Sequence, residues 1–288
     1  MCKIFILDGI YGNMINEFQI IFLCLAVKPR FIILRSKIIL RRFFSPQELE
    51  VGNSVVISGS DAVHISKVLR LKIGDMIAVF DGRGHAFECR LESFSPHGVT
   101  VIVENGLHSK TEPRVQITFA QAMLKSKKMD TLIRQATELG ISRWAPFFSE
   151  RSVPTPDRKR MAARLDRWNK ISREALKQCG RDILMKVLPP MPIEEVLKQG
   201  SACDRRIIFW ECESASAKAS VPMASEQLKS LMVVVGPEGG FSVREIDLAT
   251  SLGYETMSLG PRILKAETAA VAAAVLMQYR FGDMGGKE

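Results

Sequence analysis

Nothing in this chain restricts its fold more than the stretch from Leu231 to Met277. The run Leu231-Met232-Val233-Val234-Val235 is too short for a helix and rich in β-branched residues, so it predicts a buried strand. It stops in Gly236-Pro237-Glu238-Gly239-Gly240, where glycines point to positive φ angles and a backbone that a ligand can approach closely. Ser242-Val243-Arg244-Glu245 has capping-box spacing and predicts a helix running to about Gly253. A second loop follows, from Leu259-Gly260-Pro261-Arg262 through Ile263-Leu264-Lys265 to Glu267-Thr268. Behind it an alanine-dense helix is predicted from Ala269 to about Phe281, stopped by Gly282.

A strand that ends in a glycine turn and feeds a helix N-terminus is a common phosphate site. Here no Lys-Ser or Lys-Thr pair follows the glycines, and the spacing is not that of a dinucleotide fingerprint. Glu238 also places a carboxylate in the cradle, where it repels a phosphate; a neutral or cationic ligand suits the loop better. An isolated Gly-Gly is most often a plain tight turn. Two Gly-Pro loops after successive strands strengthen the ligand reading, because open α/β sheets bind ligands at strand C-termini.

The 288 residues are enough for two domains, and 47% hydrophobic content supplies their cores. A net charge of +9 favours a polyanionic partner, nucleic acid before an acidic membrane surface. The six cysteines, Cys2, Cys24, Cys89, Cys179, Cys203 and Cys212, form no C-x-x-C, and the four histidines have no metal-ligand spacing. No metal is expected, and the cysteine pattern fits a reducing, cytoplasmic setting. Residues 1–40 form an unassigned N-terminal extension. Its apolar run from Phe18 to Val27 is interrupted by Lys28-Pro29-Arg30, short of the about 20 residues a spanning helix needs. It makes an unconvincing signal peptide, and an organelle-targeting role or translation from an upstream start codon explains it about as well; no membrane partner is expected.

From Arg41 to about Thr111 the pattern is short strands and turns, read as a small β-barrel the size of many RNA-binding accessory modules, with a structural cap that holds no ligand as the competing reading. Ser60-Asp61 is placed to cap a helix from Val63 to Leu71 whose exposed side carries His64, Lys67 and Arg70. Asp81-Gly82-Arg83-Gly84 is a hairpin turn between Met76–Phe80 and Ala86–Leu91. After Glu112-Pro113, a strand (Val115 to Ala120), the basic loop Lys125-Ser126-Lys127-Lys128, a helix (Met129 to Leu139) and a strand (Trp144 to Phe148) predict a parallel βαβ unit. Glu150-Arg151-Ser152 falls just beyond that second strand, at the ligand-binding end. The helix Arg158 to Cys179 combines an apolar stripe, Met161, Leu165, Trp168, Ile171, Ala175 and Cys179, with a strongly basic remainder. Such a lopsided face suits phosphate contacts.

Taken together, LKSKKMDTLIRQATELGISRWAPFFSERSV, WNKISREALKQCGR, VVVGPEGGFSVRE and LGPRILKAETAA resemble the bacterial small-subunit ribosomal RNA uridine N3-methyltransferase family, within the SPOUT superfamily. The likeness runs from Arg41 to about Gly285 and includes VHISKVLRLKIGD and VFDGRG; departures stand at Val63, Met123 to Ser126 and Lys265. It implies an α/β methyltransferase domain over 113–288, tied in a deep trefoil knot, behind a PUA-like β-barrel over 41–112. It also implies a homodimer acting on ribosomal RNA of the small subunit, with S-adenosyl-L-methionine bent into the knot. By motif, the cofactor cradle is Gly236, Pro237, Glu238, Gly239, Gly240, Leu259, Gly260, Pro261, Ile263, Leu264 and Thr268, with Glu211 near the ribose or adenine.

Uracil N3 carries a proton that must leave before N3 becomes nucleophilic, so positioning and anion stabilisation are the catalytic needs. Arg262 is the first candidate to stabilise the anion and Arg151 the second. Glu267 would accept the proton if burial raised its pKa; the competing reading makes it a structural, N-cap-like residue. Lys125, Lys128, Arg181 and the basic helix are assigned to flanking phosphates. Two rivals remain open: a knotted enzyme methylating a ribose hydroxyl or another base, and a non-catalytic RNA-binding assembly factor.

Overall fold

Leu231, Val233 and Val235 face one way and Met232 and Val234 the other, and all five are buried, because alternate side chains of a strand covered on both sides must each enter a core. The structure is a computed structural model describing residues 40–108, 111–125, 127–153, 158–211 and 228–285. The extension over residues 1–40 lies, except for Leu40, outside the described residues, as do Cys2, Cys24, Cys212, Ser126, Pro154 and Pro156. The described residues from Leu40 onward form one compact unit.

The first sheet uses β1 (Arg42–Phe44), β2 (Ser54–Ile57), β3 (Met76–Phe80), β4 (Ala86–Ser95) and β5 (Gly98–Leu107), in the order β1-β3-β4-β5-β2. Its core is Phe43, Val55, Ile57, Ile65, Ile77, Val79, Leu91 and Val101. The helix predicted over Val63 to Leu71 differs in form. A short α1 (Gly59–Val63) is followed at once by a π-helical turn, His64–Val68. Its N-cap is Ser58, which makes no side-chain cap bond, so Ser60 and Asp61 lie inside the first turn instead of before it. The wider turn buries Ile65 and leaves His64, Lys67 and Arg70 exposed. Arg70 closes it at φ 52, the left-handed region that non-glycine residues seldom occupy.

The second sheet contains β6 (Gln116–Ala122), β7 (Arg143–Phe148), β8 (Lys186–Val187), β9 (Met191–Pro192), β10 (Arg205–Phe209), β11 (Ser230–Val235) and β12 (Glu255–Met257). All its pairings are parallel, in the order β12-β10-β11-β6-β7-β8, with β9 also on β7. The predicted βαβ unit is β6, α2 (Lys128–Glu138) and β7. Helices α2, α3 (Arg158–Cys179) and α6 (Ala266–Phe281) cover one face; α4 (Ile193–Gln199) and α5 (Val243–Ser251) cover the other. Phe119 and Trp144 stack at 5.4 Å in the first of these layers. Strands β8 and β9 are too short, and α4 too brief, to stand out by periodicity. Among the described residues, no helix is long and apolar enough to cross a membrane.

The segment after α3 binds the two sheets together and corrects one expectation. Arg181, assigned to RNA phosphates, is 3% exposed. Its guanidinium donates to the Glu112 carboxylate at 2.9 and 3.1 Å and to the carbonyls of Thr137 and Ile141 at 2.8 and 3.1 Å. Glu112 also accepts the backbone N–H groups of Asp182 and Ile183, both at 2.9 Å. Arg181 is therefore internal, at the edge where β6 and β7 begin, opposite their C-terminal loops. Around it Arg42 pairs with Asp182, Lys177 reaches Asp61 at 2.7 Å, and Arg173 lies 4.6 Å above the Phe44 ring. The basic face of α3 is thus partly engaged by the protein itself, and the exposed Arg167 also pairs with Asp130 at 2.6 Å.

Candidate active site

A wholly parallel sheet delivers the C-terminal end of every strand to one edge, and the loops leaving those ends meet there. The edge gathers Lys125 and Lys128 after β6, Glu150 and Arg151 after β7, Glu211 after β10, Gly236 to Gly240 after β11, and Leu259 to Lys265 after β12. Three contacts draw these loops together. Lys128 Nζ lies 3.1 Å from Glu238 Oε1 and 3.1 Å from Glu267 Oε2, joining the start of α2 to both the first turn and the start of α6. Arg151 donates to the Gly239 carbonyl at 3.2 Å. Gln121, fully buried near the end of β6, donates to the Gly236 carbonyl at 3.1 Å.

The glycine turn is shaped by what lies against it. Gly240 has φ +68, and a Cβ added there would run into the Glu211 carboxylate. At Gly239 a Cβ would stand 3.1 Å from that of Arg151. The bare backbone lets side chains from two neighbouring loops close in, which a residue with a Cβ would prevent. The capping box read from the sequence is present: Ser242 Oγ accepts from Glu245 N at 3.3 Å, and the Glu245 carboxylate accepts from Ser242 N at 2.9 Å. The same buried carboxylate accepts Glu150 N at 2.9 Å and Ser149 Oγ at 3.3 Å. Glu245 thereby fixes the corner that carries Arg151, a role its cap spacing did not reveal.

The second loop is more open. Leu259 and Leu264 are half-buried, Gly260, Pro261 and Arg262 are exposed, and Ile263 is 92% exposed. Space above Gly260 is clear, with nothing within 4 Å of where a Cβ would be. Arg262 makes no ion pair among the described residues. Thr268 is exposed on the first turn of α6.

Two expectations change here. Lys128, assigned to phosphates, is held between two carboxylates, and Glu238 first and then Glu267 raise its pKa. Glu267 lies inside the first turn of α6, whose N-cap is Lys265. Its own backbone N–H, and then Lys128, hold its carboxyl below the ordinary range, so it is a poor proton acceptor. Glu267→Gln is expected to leave the shape of the kcat–pH profile unchanged at saturating cofactor; a displaced limb would restore Glu267 as the base. His64, Lys67 and Arg70 lie on the helical turn of the other sheet and not on these loops. Gln121 escaped sequence reasoning altogether, although a glutamine inside the apolar strand ITFAQA was a visible signal.

The residues suit a sulfonium nucleoside. Ile263 and Leu259 offer apolar surface, Glu238 and Glu267 offer negative charge, and Gln121 Oε1 is a buried acceptor beside the first turn with no hydrogen-bond partner among the described residues. A phosphate would meet those carboxylates.

Residues 111–278 match the model of the RNA methyltransferase domain family, and residues 57–104 that of the RNA methyltransferase PUA domain. The chain belongs to the RNA methyltransferase family. The methyltransferase is 29% identical over 248 residues to ribosomal RNA small subunit methyltransferase E of Bacillus subtilis, covering 84% of this chain and 97% of that one. It is 30% identical over 230 residues to the protein of that name from Mycobacterium bovis, covering 78% and 86%. Among solved structures, methyltransferase E from Neisseria gonorrhoeae bound to S-adenosyl methionine is 30% identical with a TM-score of 0.77, covering 85% of this chain and 99% of that one. A methyltransferase from Legionella pneumophila, in complex with the same cofactor, is 28% identical with a TM-score of 0.77 and the same coverage.

Proposed function

We propose that this methyltransferase transfers a methyl group from S-adenosylmethionine to N3 of a uridine in small-subunit ribosomal RNA. The observation that carries this reading is that Lys128 ties the first glycine turn to the start of α6, directly behind the second Gly-Pro loop, at one sheet edge of a chain of this family. Gly236 to Gly240, with Leu259, Gly260, Pro261, Ile263, Leu264, Thr268 and Glu211, would hold the cofactor. When bound, S-adenosylmethionine supplies a methyl group activated by a sulfonium centre. The protein's part is to present the base and favour its anion. Arg262, exposed beside Ile263, balances the charge that forms as N3 gives up its proton to solvent water; Arg151, anchored on Gly239, supports it. The target base must be unpaired or extruded to expose N3. Lys125 and the outward charges of α3, Arg164 and Lys170, with His64, Lys67 and Arg70, supply phosphate contacts that set affinity without reading sequence.

The same reading divides the chain into a PUA-like barrel over 41–112 and a knotted methyltransferase domain over 113–288, and makes it a homodimer. Helix α6 supports the dimer. From Ala269 to Met277 it carries only apolar residues, burying Ala270, Ala273, Ala274 and Met277 while exposing Val275, and Tyr279 beyond them is 65% exposed. Incubation with labelled cofactor and purified small-subunit RNA, followed by mapping of the modified atom, tests the function. The expected product is N3-methyluridine. Label on a ribose 2′-oxygen or another base would replace this reading with the related enzyme, and cofactor binding without transfer to any RNA or subunit would favour an assembly factor.

A further inference from the structure

The loop edge carries more carboxylates in contact with the cradle than cations to pair them. Glu238 sits within the glycine turn, Glu267 at the start of α6, and Glu211 against Gly240. Lys128 is shared by two of them, so a negative charge is left over. Of the other cations nearby, Arg151 keeps its charge while donating to a carbonyl, Arg262 is exposed, and exposed Lys265 acts on Glu267 only through space and more weakly than Lys128. The buried Gln121 Oε1, without a hydrogen-bond partner among the described residues, adds a further electronegative atom beside the same turn. An arrangement of this kind attracts cations in proportion to their charge, and partial exclusion of water strengthens the attraction.

We propose that the Glu238–Lys128–Glu267 cluster makes the site prefer the methylated cofactor over its demethylated product. This rests on the reading that these loops hold S-adenosylmethionine. The substrate form carries a sulfonium cation; the product, a neutral thioether, has lost that charge and is otherwise nearly the same molecule. The cluster therefore gains more from the first than from the second, which favours product release after each transfer. Lys128 moderates the effect. It braces the two loops and keeps the uncompensated charge small enough for an RNA phosphate to approach.

The test is calorimetric titration of the full-length protein with S-adenosylmethionine and with S-adenosylhomocysteine, in wild type, Glu238→Gln, Glu267→Gln and Lys128→Gln. Each glutamate variant is expected to weaken the sulfonium ligand about threefold to tenfold and the thioether less than about twofold. Lys128→Gln is expected to weaken both ligands while preserving or widening their ratio. Equal weakening of both ligands in the glutamate variants, no change in either, or a narrowed ratio in Lys128→Gln would overturn the proposal. If wild type binds neither ligand, the cofactor reading itself fails. The two failures are thus separate results.

Discussion

Arg262→Ala is expected to lower kcat for RNA methylation about 100-fold to 1000-fold, the usual cost of removing one group that stabilises a developing anion. Affinity for the cofactor should change less than about twofold, because Arg262 is exposed, while the loop on which it stands is held by other contacts. A compensating charge is needed because a neutral uracil N3 is not a nucleophile and the charge created by deprotonation must be met at once. An arginine serves well, since its guanidinium stays ionised at any working pH and presents several donors in one plane. Single-turnover methylation at saturating cofactor, with RNA varied, separates the possibilities. A fall in kcat at constant RNA KM supports the catalytic role. A rise in RNA KM at constant kcat would make Arg262 a phosphate contact, leaving Arg151 as the group to test.

Glu112→Ala is expected to destabilise the fold by about 3–5 kcal/mol, the range found when one partner of a buried ion pair is removed. The carboxylate accepts both Arg181 donors and two backbone N–H groups, and Arg181 is 3% exposed. Without Glu112 the guanidinium keeps only two carbonyls, and the N–H groups of Asp182 and Ile183 lose their acceptor. For a chain of this size that corresponds to roughly a 10 °C fall in Tm, readable by thermal denaturation. Glu112→Gln keeps an acceptor but not the charge and should fall between. Replacing both partners together, Glu112→Leu with Arg181→Met, should cost less than Glu112→Ala, because no charge is then stranded. A loss of under about 1 kcal/mol for Glu112→Ala would mean that water enters and solvates Arg181.

How much of this was legible beforehand depends on the range of the interaction involved. Strand Ser230–Val235, helix Arg158–Cys179 and the Ser242–Glu245 box are local features, written in hydrophobic period and cap chemistry a few residues apart. The π-helical turn was not legible, because α and π turns draw on the same residues and packing of Ile65 and the closing Arg70 chooses between them. Neither was the fate of individual charges. Lys125, Lys128 and Arg181 look alike in a basic sequence, yet one is exposed, one bridges two carboxylates and one is buried. Partners 40 to 110 positions away decide which is which.

By itself, the sequence determined a parallel α/β layer with glycine loops at its strand ends and a basic chain suited to RNA, because periodicity, turn chemistry and net charge need no knowledge of distant neighbours. Only the tertiary structure decided that Glu245 holds the Arg151 corner, that Gln121 braces the first turn, that Arg181 belongs to the interior and that Lys128 closes the cradle. Those outcomes depend on which loops the parallel sheet brings to the same edge, and chain separation conceals that proximity.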